Sequence, residues 1–278
     1  MDITTVILIF LVGLIAGGYG TIVGAGGGFI FVPVLILLFH INPAMAAGTG
    51  IVIVFINSLS GVFGYAKQKR IHYRIGLILA IGALPGSLLG VGLLRIYSSS
   101  YFFVVFATLL VVLGIFLFAS NSPITLRKKE STPEISREGA QAVESSGGEI
   151  AAALSPSEHS QIRIIYLVPL GLLMGILSSY LGIGGGWMLV PILIYFFKIP
   201  THLATATSIF SLTLYSSLGV ISQIFYGNID WPAILWGGIG VILGSQMGVW
   251  ISRKIPSKVV IQLLSILLIV IGFRMYFN

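Results

Sequence analysis

Five residues, Gly24-Ala25-Gly26-Gly27-Gly28, return 158 positions later as Gly182-Ile183-Gly184-Gly185-Gly186, and each copy interrupts a long apolar run. The runs cover residues 3–39 and 162–197. As one helix of about 1.5 Å per residue, the first would be roughly 55 Å long, far more than a hydrocarbon core of about 30 Å. Each run is therefore expected to be a broken hairpin. Its second arm, 28–39 or 186–197, spans only about 18 Å and cannot cross alone.

The offset extends well beyond the glycines. Pro33 matches Pro191, Thr49 matches Thr207, Ser58 matches Ser216, Gly61 matches Gly219, and Arg95 matches Arg253. Between 13 and 95 roughly a third of positions are identical to their partners, without a gap. Three further apolar runs follow each hairpin, at about 44–66, 74–96 and 101–119, then at about 202–225, 232–251 and 259–277. Between the halves, 121–161 is rich in Ser, Glu, Gly, Pro and Ala and reads as a solvated cytoplasmic linker. Three units result: an N-terminal membrane repeat (1–120), the linker (121–161) and a C-terminal membrane repeat (162–278).

Only 8% of the residues are charged, a third of what a soluble domain needs, and the mean hydropathy is +1.05. The fold class is an all-α polytopic membrane protein. The net charge of +7 sits in short clusters beside apolar runs, with no basic stripe and interleaved aromatics, so nucleic acid is not an expected partner. The first run lacks a small-residue cleavage site and reads as a retained segment. The expected partners are the lipid bilayer and a small anion; the sequence leaves the oligomeric state open.

Charge also orients the halves. Lys67 to Arg74 is strongly basic, whereas its partner, 225–232, has no base and one acid, Asp230. The loop after Arg95 is nearly uncharged, whereas Arg253-Lys254 through Lys258 is basic. Bases favour the cytoplasmic side, so equivalent loops lie on opposite sides and the two repeats are inverted. Both termini are then outside and the linker inside, in a bacterial cytoplasmic (inner) membrane.

Irregular backbone within a membrane must be buried in protein or line a wet cavity. A half-helix starting at a glycine break presents its free N–H groups and positive dipole end, and successive glycine N–H groups can form an anion nest. Gly24, Gly26, Gly27, Gly28, Gly182, Gly184, Gly185 and Gly186 are thus candidates for binding a small anion near the midplane. The plainer reading is that these glycines only allow close helix packing.

Thr49 and Thr207, equivalent and following small-residue stretches, with Ser208, Asn57 and Gln246, are candidate hydrogen-bond donors. Serines and threonines in membrane helices otherwise bond to their own carbonyls or tighten packing. The remaining polar residues of the apolar runs include Ser58, Tyr215, Ser216 and Gln223. Arg95 and Arg253, at helix ends, are candidates for a gate or entrance; snorkelling is their ordinary role.

No acid lies inside an apolar run: Asp2 and Asp230 flank runs, and six glutamates occupy the linker. Carriers driven by protons or cations often place carboxylates in the membrane. Movement down the anion's own gradient, or a proton carried on the substrate, is expected instead. There is no cysteine, and His40, His72, His159 and His202 lie at loops without metal-ligand spacing or a nucleophile–base pair. No cofactor, metal or enzymatic activity is expected.

The paired Gly-x-Gly-Gly-Gly with downstream Val-Pro, and Ala46-Ala47-Gly48-Thr49-Gly50 with its looser echo Ala204 to Ser208, resemble the sulfite exporter TauE/SafE family, also called the toluene sulfonate uptake permeases. The resemblance covers both halves and spares the linker. In the family the second element often reads Gly-Thr-Ser; Gly50 replaces that serine in the first half, and Thr207-Ser208 keeps it in the second. What the resemblance implies is transport of small sulfur-containing or organic anions, such as sulfite or sulfonates. An anion channel and a membrane scaffold are the alternative functions.

Overall fold

The structure is a computed structural model that describes residues 2–96, 100–120 and 164–276. Every regular element among the described residues is a helix: α1 (Ile3–Val23), α2 (Gly28–Leu37), α3 (Pro43–Lys67), α4 (Tyr73–Ile96), α5 (Ser100–Ser120), α6 (Ile164–Leu181), α7 (Gly186–Tyr195), α8 (Thr201–Tyr226), α9 (Trp231–Ile251) and α10 (Ser257–Tyr276). Five of them, α1, α3, α4, α8 and α9, are long and apolar enough to cross a membrane. The expected linker, 121–161, lies outside the described residues.

Local signals account for the boundaries. Asn42 caps α3 by accepting from the Met45 N–H at 2.8 Å, with Pro43 in the first turn, where its missing N–H costs nothing. Asp230 caps α9 in the same way, accepting from Ala233 at 3.0 Å. Helix α1 stops at Gly24, whose φ of +83° is left-handed backbone that favours glycine.

At both breaks the chain reverses. The Ala25 and Gly26 N–H groups donate back to the Gly20 carbonyl, at 2.8 and 3.3 Å. A β-carbon at Gly27 would lie 2.7 Å from the Ala16 carbonyl oxygen, and one at Gly185 would lie 3.1 Å from that of Met174, the equivalent residue. Half-helices α2 and α7 therefore run back along α1 and α6, as the length argument requires.

Helices from different halves pack in matching pairs. Helix α1 lies along α9, with β-carbons at Gly13, Gly240 and Gly244 colliding with the backbones of Gly237, Phe10 and Leu14. Helix α6 lies along α4 at the equivalent positions: Gly171, Gly82 and Gly86 meet Leu79, Val168 and Leu172. Small residues let these backbones touch, the usual way to gain packing energy where lipid removes the hydrophobic drive. At the centre, α3 crosses α8. A β-carbon at Gly61 would lie 3.2 Å from Ile209, and one at Gly219 would lie 3.1 Å from Ile51, so the two helices run in opposite directions.

Candidate functional site

The two glycine breaks meet each other. A β-carbon at Gly28 would lie 2.8 Å from the Gly182 carbonyl oxygen, and one at Gly186 would collide with the Gly24 carbonyl. Their tips share one lid. A β-carbon at Gly26 would lie 2.9 Å from Val54 and 3.3 Å from Leu212; one at Gly184 would lie 3.0 and 3.2 Å from the same side chains. Val54 and Leu212 are repeat partners, each eleven residues into its helix, about 16 Å from the helix start. That is close to the mid-length of each helix, which has 25 or 26 residues. All residues from Val23 to Phe29 and from Leu181 to Trp187 are buried.

Within this junction several donors have no partner among the described residues. The first-turn bonds of α2 and α7 come from Ile30 and Phe31 to Gly27, and from Met188 and Leu189 to Gly185. These leave the N–H groups of Gly28, Phe29, Gly186 and Trp187 free, at the positive ends of two half-helices. The Ser58 hydroxyl, 3.5 Å from a β-carbon at Gly26, is fully buried and unpartnered, as are Asn57 Nδ2 and Trp187 Nε1. A buried donor without a partner costs about 1–3 kcal/mol, so these groups call for a partner from outside the protein, ordered water or a ligand.

The breaks are not chemically identical. Gly27 has φ +76°, whereas its partner Gly185 has φ −82° and donates to the Tyr215 hydroxyl at 3.1 Å. Position 57, the equivalent of Tyr215, is Asn57, whose oxygen accepts from the Thr21 hydroxyl at 3.1 Å. Ser208 donates to the Gly24 carbonyl at 2.9 Å. At the equivalent Gly50 a β-carbon would collide with the Gly182 carbonyl, so no serine fits the first half as it stands.

Of the residues singled out from sequence, the eight glycines, Asn57 and Ser208 come together here. Others lie elsewhere. Thr49 accepts from the Asp230 N–H at 2.9 Å and Thr207 from the His72 N–H at 3.0 Å, each pinning a central helix to the start of α9 or α4. Gln246 donates to the Ser60 carbonyl and hydroxyl at 2.8 Å, on the exposed side of α9. Arg253 is exposed just beyond α9, next to Lys254, whose ammonium sits 4.3 Å from the Trp250 ring centre. Arg95 lies in α4, but its side chain is outside the described residues.

Sequence reasoning passed over Val54 and Leu212 because apolar residues in apolar runs carry no chemical signal. Their equivalence at the 158-residue offset was the available one. Tyr215 was visible as a polar residue, but only the folded chain brings it to Gly185. Asp2 and Asp230, the acids among the described residues, both stand at helix starts.

A family described as Sulfite exporter TauE/SafE matches residues 9–275. A probable membrane transporter protein of Bacillus subtilis is 29% identical over 280 residues, covering 98% of this chain and 97% of its own. One of Methanocaldococcus jannaschii is 30% identical over 285 residues, covering 96% and 94%. A third, from Xylella fastidiosa strain Temecula1, is 23% identical and covers 88% and 84%. No solved structure matches the chain. These relatives are named as transporters and not as enzymes.

Proposed function

The chain belongs to the sulfite exporter TauE/SafE family of membrane transporters, and from that premise we propose that it is a secondary transporter of small, sulfur-containing anions such as sulfite or organosulfonates. The cargo binds near the bilayer midplane, where the glycine breaks meet. One observation carries this reading: the unpartnered N–H groups of two half-helix starts and the buried, unpartnered Ser58 hydroxyl lie at a junction that holds no acid. Such a place favours a negative ion without a lysine or arginine. Thr49 and Thr207 support the site by holding its helices; Arg253 and Arg95 lie at the route's ends.

Two inverted-topology repeats, each a glycine-broken hairpin plus three transmembrane helices, complete the reading. It is supported by the opposite directions of α3 and α8, by the equivalent contacts of the pairs α1–α9 and α4–α6, and by the opposite charge of equivalent loops. The protein then sits in the cytoplasmic membrane with both termini outside and the segment 121–161 inside. Transport by alternating access fits a junction sealed by Val54 and Leu212 better than an open channel does.

Flux of radiolabelled sulfite into proteoliposomes of the purified chain tests the proposal. Saturation, with competition from a two-carbon sulfonate and none from a cation of similar size, is the expected result. Flux that never saturates would identify a channel, and no flux of any small oxyanion would remove the proposal.

A further inference from the structure

Each half-helix borders an apolar cavity, and the two cavities are built from repeat-equivalent residues. The first, about 340 Å³, lies between α2 and α10, where Ile30, Val34 and Leu38 meet Val270, Ile271 and Arg274. The second, about 450 Å³, lies between α7 and α5. There Met188, Ile192 and Phe196 take the α2 positions, and Leu113 and Phe116 take those of Ile271 and Arg274. Leu38 and Val270 are more than half exposed, so the first cavity opens on the flank of the helices, where the bilayer lies.

Its depth suits one leaflet. From Ile30 to Leu38 the chain rises about 12 Å, and half of a hydrocarbon core is about 15 Å. An acyl chain seated there gains little over one in bulk lipid, because both surroundings are apolar. Any choice among lipids therefore falls to the headgroup. Among the described residues that line the cavity, Arg274 is the charged one. It is exposed, in the last turn of α10, and forms no ion pair with another described residue. The fold does not demand a base at this position: the equivalent Phe116 packs edge-on against Tyr195, with ring centres 6.3 Å apart. Tyr195 is the equivalent of Leu37, so the same geometry sets Arg274 beside Leu37, at the end of α2 away from its glycine break.

We propose that the α2–α10 cavity binds one anionic phospholipid, its acyl chain along α2 and its phosphate on the Arg274 guanidinium. A guanidinium presents paired N–H donors that match phosphate oxygens. The stem of Arg274 lies along apolar surface while its head reaches the interface. A zwitterionic headgroup brings its own cation to the phosphate, whereas a net negative one leaves that place to the arginine. The α5–α7 cavity, with Phe116 instead, takes chains without selecting a headgroup. This site is independent of the cargo and of where the cargo binds.

Native mass spectrometry of the purified full-length chain, released from equimolar phosphatidylglycerol and phosphatidylcholine, tests this. Wild type should retain one phosphatidylglycerol, preferred about fivefold over phosphatidylcholine. Arg274→Gln, at an exposed position, should keep a lipid but lose the preference, while Lys69→Gln, which removes an exposed base elsewhere, should retain it. Val34→Trp, which fills the cavity and leaves Arg274 in place, should lose the phosphatidylglycerol; Ile192→Trp, in the equivalent cavity, should not. Equal retention of the two lipids by wild type would overturn the proposal, as would a preference that survives in Arg274→Gln or Val34→Trp. Displacement of the lipid by excess glycerol phosphate would make Arg274 a site for soluble phosphate, and a lipid-free dimer would give the cavity to a second copy of the chain; either result refutes a lipid site.

Discussion

The Thr207 hydroxyl accepts the backbone N–H of His72 at 3.0 Å, across 135 residues, and so ties the start of α8 to the start of α4. Shifted by 158 positions, the same bond joins Thr49 to Asp230 at 2.9 Å. Both bonds satisfy N–H groups just before a helix, which no residue within that helix could reach. They fix the height of the central helices, and with it the height of the glycine junction.

Thr207→Val keeps the shape and removes the acceptor, leaving the His72 N–H unpaired. The loss should be about 1 kcal/mol and a few degrees in Tm, with KM for sulfite unchanged. Thermal melting beside a flux assay checks it. A large rise in KM at unchanged Tm would instead make Thr207 a ligand.

Ser58 and Ser208 should separate in the opposite sense. Ser208→Ala removes a bond to the Gly24 carbonyl and should lower Tm by a few degrees. Ser58→Ala removes a hydroxyl that bonds to nothing in the protein, so Tm should hold while KM rises severalfold. Equal behaviour of the two variants would contradict the role given to Ser58.

Gly26→Ala should abolish flux without preventing membrane insertion. Its φ of +83° costs an alanine about 1–2 kcal/mol, and the new methyl would lie 2.9 Å from Val54. Gly92, where a β-carbon would meet nothing within 4 Å, is the control: Gly92→Ala should transport normally. Normal flux in the Gly26→Ala protein would move the cargo away from the junction.

Val54 and Leu212 seal the break tips together. The double variant Val54→Ala, Leu212→Ala should leak small anions such as nitrate at least tenfold faster than wild type, read with an anion-sensitive dye inside proteoliposomes. Each single variant should leak less than the double. A double variant as tight as wild type would show that the seal lies elsewhere.

The chain has no cysteine, so introduced thiols report sidedness directly. His40 and Lys198 are repeat partners, both exposed and both at left-handed φ, +53° and +54°. In intact cells an impermeant thiol reagent should label His40→Cys and spare Lys198→Cys until the membrane is opened. Labelling of both from one side would contradict inverted repeats.

Much of the architecture was legible before folding. Leu37 and Tyr195 end half-helices within two residues of the expected 39 and 197, because a short apolar arm bounded by glycine can be measured by counting. The repeat was legible for the same reason: Gly24 and Gly182 stand in one dimension. The roles of Thr49, Gln246 and Tyr215 were not. A hydroxyl in an apolar run looks the same whether it caps a distant helix or faces a ligand, and only the partner's position tells them apart.

By itself, the order of residues determined a helical membrane protein in two related halves, each broken at a glycine cluster, because helix length, hydropathy and glycine backbone freedom are local properties. The tertiary structure alone decided that the two clusters touch, that Val54 and Leu212 cover them, and that Tyr65 donates to the Thr21 carbonyl on one flank while the equivalent Gln223 accepts from Asn228 on the other. Those facts depend on which side chain lies opposite which after helices 158 residues apart cross, and hydrogen bonds and collisions a few ångströms long are set only there.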